Sequence, residues 1–196
     1  MSSFHTILTV SRTLQQLLWE GADAEVRTII GSQAAIVLTN PSEVQRDPAN
    51  RLSIWLYQVT ENEYEKNQPI SRANGNTSVF PPLALNLFYL VTPFTPSGES
   101  DQLVLGRLMQ TLYDNAILLV RNQADGDFEE LRIVLCRLTL EELTRIWEAL
   151  REPYRLSVCY QIRVSHIASL RQAGRARVFD RVGEFGDVPS LVQEAP

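Results

Sequence analysis

The chain has 196 residues, of which 44% are hydrophobic and 21% are charged, and its formal net charge is −5. This size and composition fit one globular domain with its own core and exclude a fibrous or disordered chain. The negative charge argues against nonspecific nucleic-acid binding, which depends on many lysines and arginines that release counterions. No run of the sequence approaches the roughly 18 apolar residues of a membrane span, so we expect no membrane insertion.

The cysteine content indicates the compartment in which the chain folds. Cys136 and Cys159 are too few for a disulfide framework, and they lack the spacing of metal ligands. Each lies in an apparent strand, where a free cysteine usually behaves as a small apolar residue. The N-terminal residues lack the cationic leader of a signal peptide. We therefore expect folding in a reducing cytoplasm, without a metal or another cofactor.

The first half of the chain predicts one helix and two strands. Apolar residues from Phe4 to Leu18 recur at helical spacing, which predicts an amphipathic helix of about four turns. Strands are predicted at Ala34–Thr39 and Leu52–Val59. The segment Thr60–Val79 that follows is long and polar, and loops of that length tend to be functional or disordered. Asn74-Gly75 within it can supply the tight turn of a small hairpin.

The stretch PPLALNLFYLVTPF (Pro81–Phe94) is apolar on both sides of an extended chain. Leu87 and Tyr89 fall on one face, while Phe88 and Leu90 fall on the other. A strand of this kind belongs in the middle of a sheet that is covered on both sides. The flanking prolines mark its limits, because proline cannot donate a hydrogen bond to a strand ladder.

The second half alternates helices and strands. A second helix opens after Ser97-Gly98, and its apolar stripe runs from Leu105 to Leu119. A strand at Leu131–Leu138 precedes a capping-box pattern, T-x-x-E, at Thr139–Glu142, which opens a third helix. The alternation in Arg155–Val164 predicts a strand with one wet face. The order predicts an α+β fold, with a sheet of about five strands flanked by about three helices.

The chain shows no recognisable catalytic motif. It contains no G-x-S-x-G elbow, no phosphate-binding loop and no G-x-G-x-x-G turn. His5 and His166 lack the companions of a zinc site, and the acidic run from Glu61 to Glu65 reads most simply as a solvated loop. Asn86, inside the buried strand, either lines a functional pocket or satisfies a neighbouring backbone group, and the second role is the commoner one.

Three segments together resemble a known family. They are RLSIWLYQVTENEY (Arg51–Tyr64), PPLALNLFYLVTPF (Pro81–Phe94) and IWEALREPYRLSVCYQIRV (Ile146–Val164). In this order and spacing they resemble the N-terminal domain of the cap proteins of extracellular contractile injection systems. These are phage-tail-like particles, typified by the antifeeding prophage and the Photorhabdus virulence cassettes. The resemblance covers roughly Phe4 to Ser169.

The resemblance implies a structural protein without a cofactor, and not an enzyme. Six copies would form a ring at the distal end of the inner tube and the sheath and would stop both from polymerising. The implied fold is that of a tail terminator, with a mixed sheet flanked by helices. Assembly would take place in the bacterial cytoplasm, and the particle would be released or anchored at a membrane.

Residues 1–169 are predicted to form the cap domain, and residues 170–196 an extended C-terminal arm. The arm holds too few apolar residues for its own core, yet RARVFDRV (Arg175–Val182) has the composition of a strand. We expect it to add a strand to the sheath protein by backbone pairing. The candidate partner-binding residues are Arg175, Arg177, Val178, Phe179, Arg181 and Val182 in the arm, with Glu61, Asn62 and Tyr64 in the polar loop.

Two other function classes stay open on the sequence. The first is an enzyme whose site is assembled from scattered residues such as Glu61, Asn86 and His166. A pocket that held two of these three side chains would favour it. The second is a peptide-binding adaptor that uses an exposed sheet edge, which a monomer with one open edge would favour.

Overall fold

The computed structural model describes residues 5–44, 47–63, 71–73, 77–79, 83–121 and 128–167. These residues contain five α-helices and eight strands, together with one 3₁₀ turn at Gln33–Ala35. The helices are α1 (Thr6–Gly21), α2 (Ala24–Ile30), α3 (Pro41–Val44), α4 (Gly98–Asp114) and α5 (Leu140–Leu150). The strands are β1 (Ile36–Val37), β2 (Leu52–Glu61), β3 (Ser71–Ala73), β4 (Thr77–Val79), β5 (Leu83–Pro93), β6 (Ile117–Arg121), β7 (Phe128–Leu135) and β8 (Val158–Ile167).

Six of these strands form one mixed sheet in the order β1-β2-β5-β8-β7-β6. Strand β1 runs parallel to β2, and each of the other neighbours in this sheet is antiparallel. Strands β3 and β4 form a separate antiparallel pair. The predicted α+β class and mixed sheet are therefore confirmed, and so is the small hairpin in the polar segment. The turn residues Asn74 and Gly75 lie outside the described residues.

The first helices and α4 cover one face of the sheet. Strand β5 places Leu87 and Tyr89 on this face, where they join a single hydrophobic cluster with α1, α2 and α4. The helices contribute Val10, Leu14, Leu18, Val26, Ile30, Val104, Leu108 and Leu112 to the cluster. The Ser11 hydroxyl of α1 lies 2.8 Å from the Tyr89 hydroxyl, so the two polar groups satisfy each other inside the cluster.

The opposite face of the sheet is also covered around β5. Leu90 points away from the first cluster and is nevertheless fully buried, as is Leu87 on the other side. Trp147 of α5 is also 1% exposed, and it donates its indole N–H at 3.3 Å to the hydroxyl of Ser157, the residue just before β8. The prediction of a central strand buried on both sides is therefore confirmed. Phe88 is only half-buried, so this face is less completely covered than the first.

Side-chain caps fix the starts of three helices. Asp23, Ser97 and Thr139 are the N-cap residues of α2, α4 and α5, and each accepts a hydrogen bond from a backbone N–H of the first turn. At α5 the Glu142 carboxylate also accepts from the Thr139 backbone N–H at 2.8 Å, which completes the predicted capping box. That hydrogen bond holds the pKa of Glu142 below its ordinary value.

Several element boundaries differ from the sequence prediction, since the strand predicted at Ala34–Thr39 spans only Ile36–Val37 and the one predicted at Leu131–Leu138 spans Phe128–Leu135. The stripe predicted to extend the second helix to Leu119 is wrong, because α4 ends at Asp114 and β6 begins at Ile117. Asn115 marks the break by donating its side-chain amide to the Thr111 carbonyl at 2.9 Å. The last strand begins at Val158, so Leu156 lies before it and is 46% exposed. The short helices α2 and α3 were not predicted.

Gly21 sets the distance between α1 and α4. A Cβ atom at this position would lie 2.3 Å from Cγ2 and 2.7 Å from Oγ1 of Thr111. The Arg107 guanidinium of α4 also donates from Nε to the Gly21 carbonyl at 2.7 Å. The two helices therefore touch through the bare backbone of a glycine.

We expect Gly21→Ala to lower the free energy of unfolding by about 1–3 kcal/mol, because the added methyl group overpacks the contact with Thr111. Gly106→Ala is the matched control. No atom lies within 4 Å of its new Cβ, so the higher helix propensity of alanine should raise stability by about 0.5–1 kcal/mol. Urea unfolding of both variants measures the difference. A Gly21→Ala variant as stable as the parent would contradict the close approach.

Candidate functional site

Strand β6 forms one edge of the six-stranded sheet. It pairs with β7 through Ile117↔Arg132, Leu119↔Glu130 and Arg121↔Phe128. Within the part of the chain that the structure describes, its other side pairs with no strand. An unpaired edge presents backbone N–H and C=O groups on which another chain can add a strand.

Apolar side chains surround this edge. We define the edge patch as Ile117, Leu119, Phe128 and Val134, which are 60%, 68%, 68% and 42% exposed. The register places all four on the face of the hairpin opposite the main cluster. Exposed apolar side chains at the edge of a sheet mark either an interface or an aggregation hazard.

The charged residues of the same face lie beside the edge patch. Arg132 of β7 stands directly opposite Arg163 of β8, and like charges in that position repel. Glu130 reduces this repulsion, because its carboxylate lies 2.7 Å from Nε of Arg132. The ion pair is largely exposed, so it contributes little to stability. Arg132 and Arg163 therefore place cationic groups next to the apolar side chains of this face.

The structure places two of the residues predicted to bind partners. Glu61 is the last residue of β2 and is exposed. Asn62 is 6% exposed, and its backbone N–H donates to the Ala84 carbonyl at 2.9 Å, which prolongs the ladder with β5. Of these two residues, Glu61 is therefore the one that presents its side chain at the surface.

The other predicted partner-binding residues lie outside the described residues. They are Tyr64, Arg175, Arg177, Val178, Phe179, Arg181 and Val182. The division into residues 1–169 and 170–196 also stays a prediction, since the described chain ends at Ile167.

Two of the scattered residues of the enzyme hypothesis, Glu61 and Asn86, do not converge. Thr60, and not Glu61, stands opposite Asn86, so Glu61 and Asn86 point to opposite faces of the sheet. The Asn86 Oδ1 atom is buried and has no hydrogen-bond partner among the described residues. His166 belongs to β8, and its side chain lies outside the described residues.

A shallow polar cleft lies at the end of the sheet where β2 begins and β5 ends. It is lined by Val44, Asp47, Pro48, Asn50, Arg51, Phe94 and Arg155. Arg155 stacks over the Phe94 ring at 4.7 Å and reaches the Asp101 carboxylate at 3.7 Å, so it ties the loop before β8 to α4. The lining contains no cysteine, histidine or hydroxyl nucleophile, and neither Glu61 nor Asn86.

The described residues contain neither a cluster of metal ligands nor a helix that could cross a membrane. No three side chains of His, Cys, Asp or Glu cluster there as the ligands of a metal ion would. Among the helices of this part of the chain, none combines the length and the apolar character that crossing a bilayer requires.

The sequence matches the model of a family described as the Pvc16 N-terminal domain over residues 9–181. The chain belongs to this family. The resemblance seen in the sequence is therefore confirmed. The match extends past the end of β8 into the predicted arm, so the family domain includes part of that arm.

Two solved structures have a fold similar to that of this Pvc16 N-terminal domain. The PVC sheath/tube terminator of an extracellular contractile injection system, in the extended state, has a TM-score of 0.61 and 17% identity. The match covers 96% of this chain and 65% of the terminator chain. The tube-terminating cap of the anti-feeding prophage has a TM-score of 0.59 and 17% identity. That match covers 95% of this chain and 60% of the cap chain.

The chain thus spans less than two thirds of either structure that it resembles. At this identity the likeness establishes a shared fold, which agrees with the predicted tail-terminator architecture. No curated protein sequence matches the chain.

The buried hydroxyl pair of Ser11 and Tyr89 predicts that the stability of the domain depends on pH in the alkaline range. Burial raises the pKa of Tyr89 to about 12, and the hydrogen bond with Ser11 opposes the shift. The unfolded chain loses this proton near pH 10, earlier than the native chain does. The contribution of Tyr89 to stability should therefore be complete below about pH 10 and fall by about 1.4 kcal/mol per pH unit up to about pH 12.

Tyr89→Phe should flatten this slope, because phenylalanine has no proton to lose. Ser11 keeps its second hydrogen bond, to the Ile7 carbonyl at 3.1 Å, so the variant leaves no orphaned hydroxyl. Burial also raises the pKa of Tyr160 to about 12, and that share of the slope should remain. Urea unfolding at several values between about pH 9 and pH 12 tests the prediction. Equal slopes for parent and variant would contradict it.

Proposed function

We propose that this chain is the cap of a phage-tail-like contractile injection system. In this role, six copies form a ring that ends the inner tube and the sheath, and the chain has no catalytic activity. The proposal is carried by membership of the Pvc16 N-terminal domain family over residues 9–181. The shared fold supports it, since the two similar structures are a sheath/tube terminator and a tube-terminating cap. Assembly in the bacterial cytoplasm, into a particle that is then released or anchored, completes the proposal.

The surface of the molecule supports an assembling role. Ring formation requires heterologous contacts, in which one surface of each copy meets a different surface of the next. The edge patch is suited to such a contact, because it joins an unpaired strand edge to four exposed apolar side chains. The proposed occupant of the edge patch is a neighbouring copy in the ring.

The arm has a separate role in this proposal. Its strand-like run Arg175–Val182 pairs with a strand of the sheath protein, where Val178, Phe179 and Val182 supply apolar contacts. Arg175, Arg177 and Arg181 meet acidic groups of the sheath. The polar loop, with Glu61 and Tyr64, contacts the tube or a neighbouring copy, while the buried Asn62 extends the pairing with β5.

A peptide-binding adaptor is the second candidate function, and the open edge of β6 favours it. An adaptor would add an extended peptide to β6 and remain a monomer. Electron microscopy of the protein, alone and mixed with sheath and tube, separates the two functions. Six-fold rings at tube ends support the cap, whereas a monomer that binds neither particle component supports the adaptor.

Leu119→Lys should abolish ring formation by the protein. A lysine on an edge strand opposes strand addition, and here it lies opposite Glu130, which favours the folded monomer. Leu140→Lys, at a position 66% exposed on α5, is the matched control. We expect the first variant to cap tubes at least about tenfold less well than the parent and the control to match the parent, as counted in electron micrographs. Normal capping by Leu119→Lys would remove the edge patch from the ring interface.

Deletion from Leu170 onward should abolish binding to the sheath and leave the domain folded. The described core lies entirely before this point, so the free energy of unfolding should change little. Co-sedimentation with purified sheath measures the binding, and circular dichroism provides the control for folding. Undiminished co-sedimentation would refute the role of the arm.

A further inference from the structure

Two thiols stand opposite each other where β7 ends. The last pair between β7 and β8 is Leu135↔Tyr160, so the next residues, Cys136 and Cys159, form the following pair. The Cys136 backbone N–H donates to the Cys159 carbonyl at 2.8 Å, which confirms this register. Directly opposed residues in an antiparallel ladder have Cα atoms about 4.5–5.5 Å apart. This lies within the range of about 4.4–6.8 Å that disulfides span.

The two thiols influence each other. Interaction with Cys159, together with burial, raises the pKa of Cys136, whereas interaction with Cys136 lowers the pKa of Cys159. The Tyr57 hydroxyl lies 3.2 Å from the Cys159 sulfur and also lowers its pKa, while burial opposes this lowering. Cys159 is therefore the member of the pair whose thiolate is favoured.

Access from solvent differs between the two sulfurs. Cys159 is 3% exposed, whereas Cys136 is half-buried and lies just past the end of β7. A small oxidant can therefore reach Cys136 first. The buried thiol is placed to resolve whatever forms on Cys136.

We propose that Cys136 and Cys159 form an intramolecular disulfide when the folded protein meets a low-molecular-weight disulfide such as oxidised glutathione. Cys136 first loses its proton to solvent, a step that its raised pKa slows, and the thiolate then attacks one sulfur of this oxidant, which forms a mixed disulfide and releases one glutathione. The Cys159 thiolate then attacks the Cys136 sulfur, forms the intramolecular bond and releases the second glutathione. The two protein thiols are oxidised, the oxidant is reduced to two glutathiones, and these carry the two protons away.

The bond would close the segment that carries α5. Helix α5 (Leu140–Leu150) lies between the two cysteines in sequence and carries the buried Trp147. Cross-linking the ends of this segment restricts the unfolded chain and so stabilises the native one. Disulfides persist outside the cell and are reduced in the cytoplasm, so the cross-link would form after the protein leaves a reducing compartment. The chemistry of the pair does not depend on the proposed cap function.

The test uses the full chain, folded, with and without oxidised glutathione. We expect loss of both free thiols, a mass lower by two hydrogens, and one peptide that joins the segments around Cys136 and Cys159. The melting temperature should rise by about 5–10 °C and return on addition of dithiothreitol. Cys159→Ser should instead stop at a glutathione adduct on Cys136 and show no such rise.

Three outcomes would overturn the proposal. They are two thiols that remain free in the oxidised sample, a glutathione adduct on Cys136 that does not resolve in the parent protein, and a disulfide that joins two copies of the chain. All three outcomes are measured on the parent protein, so the result does not depend on whether the Cys159→Ser variant folds.

Discussion

The burial of β5 on both faces is the constraint on which the rest of this structure depends. Leu87 and Leu90 point to opposite sides of the strand, and both are fully excluded from solvent. The sheet is therefore covered on both faces, and α1 and α4 supply the cover on one of them. Strands β2 and β8 flank β5 over nearly its whole length. With the centre fully used for packing, the sheet edges, the loops and the chain ends are the parts left for contact with other molecules.

A few polar contacts fix the positions of helices and strands relative to one another. The hydroxyl pair of Ser11 and Tyr89 joins α1 to β5, and the contact of Tyr57 with Cys159 joins β2 to β8 across the opposite face. Nondirectional apolar packing alone would allow a helix to slide along the sheet, whereas a buried hydrogen bond is satisfied in one position only. Arg155 has a similar effect at the surface, because it meets both the Phe94 ring and the Asp101 carboxylate.

The sequence predicted the elements whose signals are local and unambiguous. The capping box at Thr139 and Glu142 is a contact between residues three apart, and the double-sided apolar run around Leu87 has no other use in a globular chain. The run from Ile117 to Arg121 was assigned wrongly, because a short apolar segment fits the end of a helix as well as an edge strand. Pairing with β7, which lies later in the sequence, decides between the two.

The candidate site was less predictable for the same reason. Exposure of Ile117 and Leu119 depends on their place at the edge of the sheet, and periodicity does not reveal strand order. The opposition of Cys136 and Cys159 likewise depends on the register of two strands separated by α5. A resemblance carried by Arg51–Tyr64, Pro81–Phe94 and Ile146–Val164 identified the family correctly, since those segments are the inner strands and α5 with their flanks.

The two ends of the sheet are not equivalent. Strand β1 contributes only Ile36 and Val37, runs parallel to its neighbour, and has Ile36 fully buried. An edge strand as short as β1 offers an incoming chain almost no backbone N–H and C=O groups for pairing, whereas β6 offers those of a whole strand. Strand addition to this sheet is therefore one-sided in the part of the chain that the structure describes. A second chain can extend the sheet at β6, whereas two copies cannot join through their β1 margins.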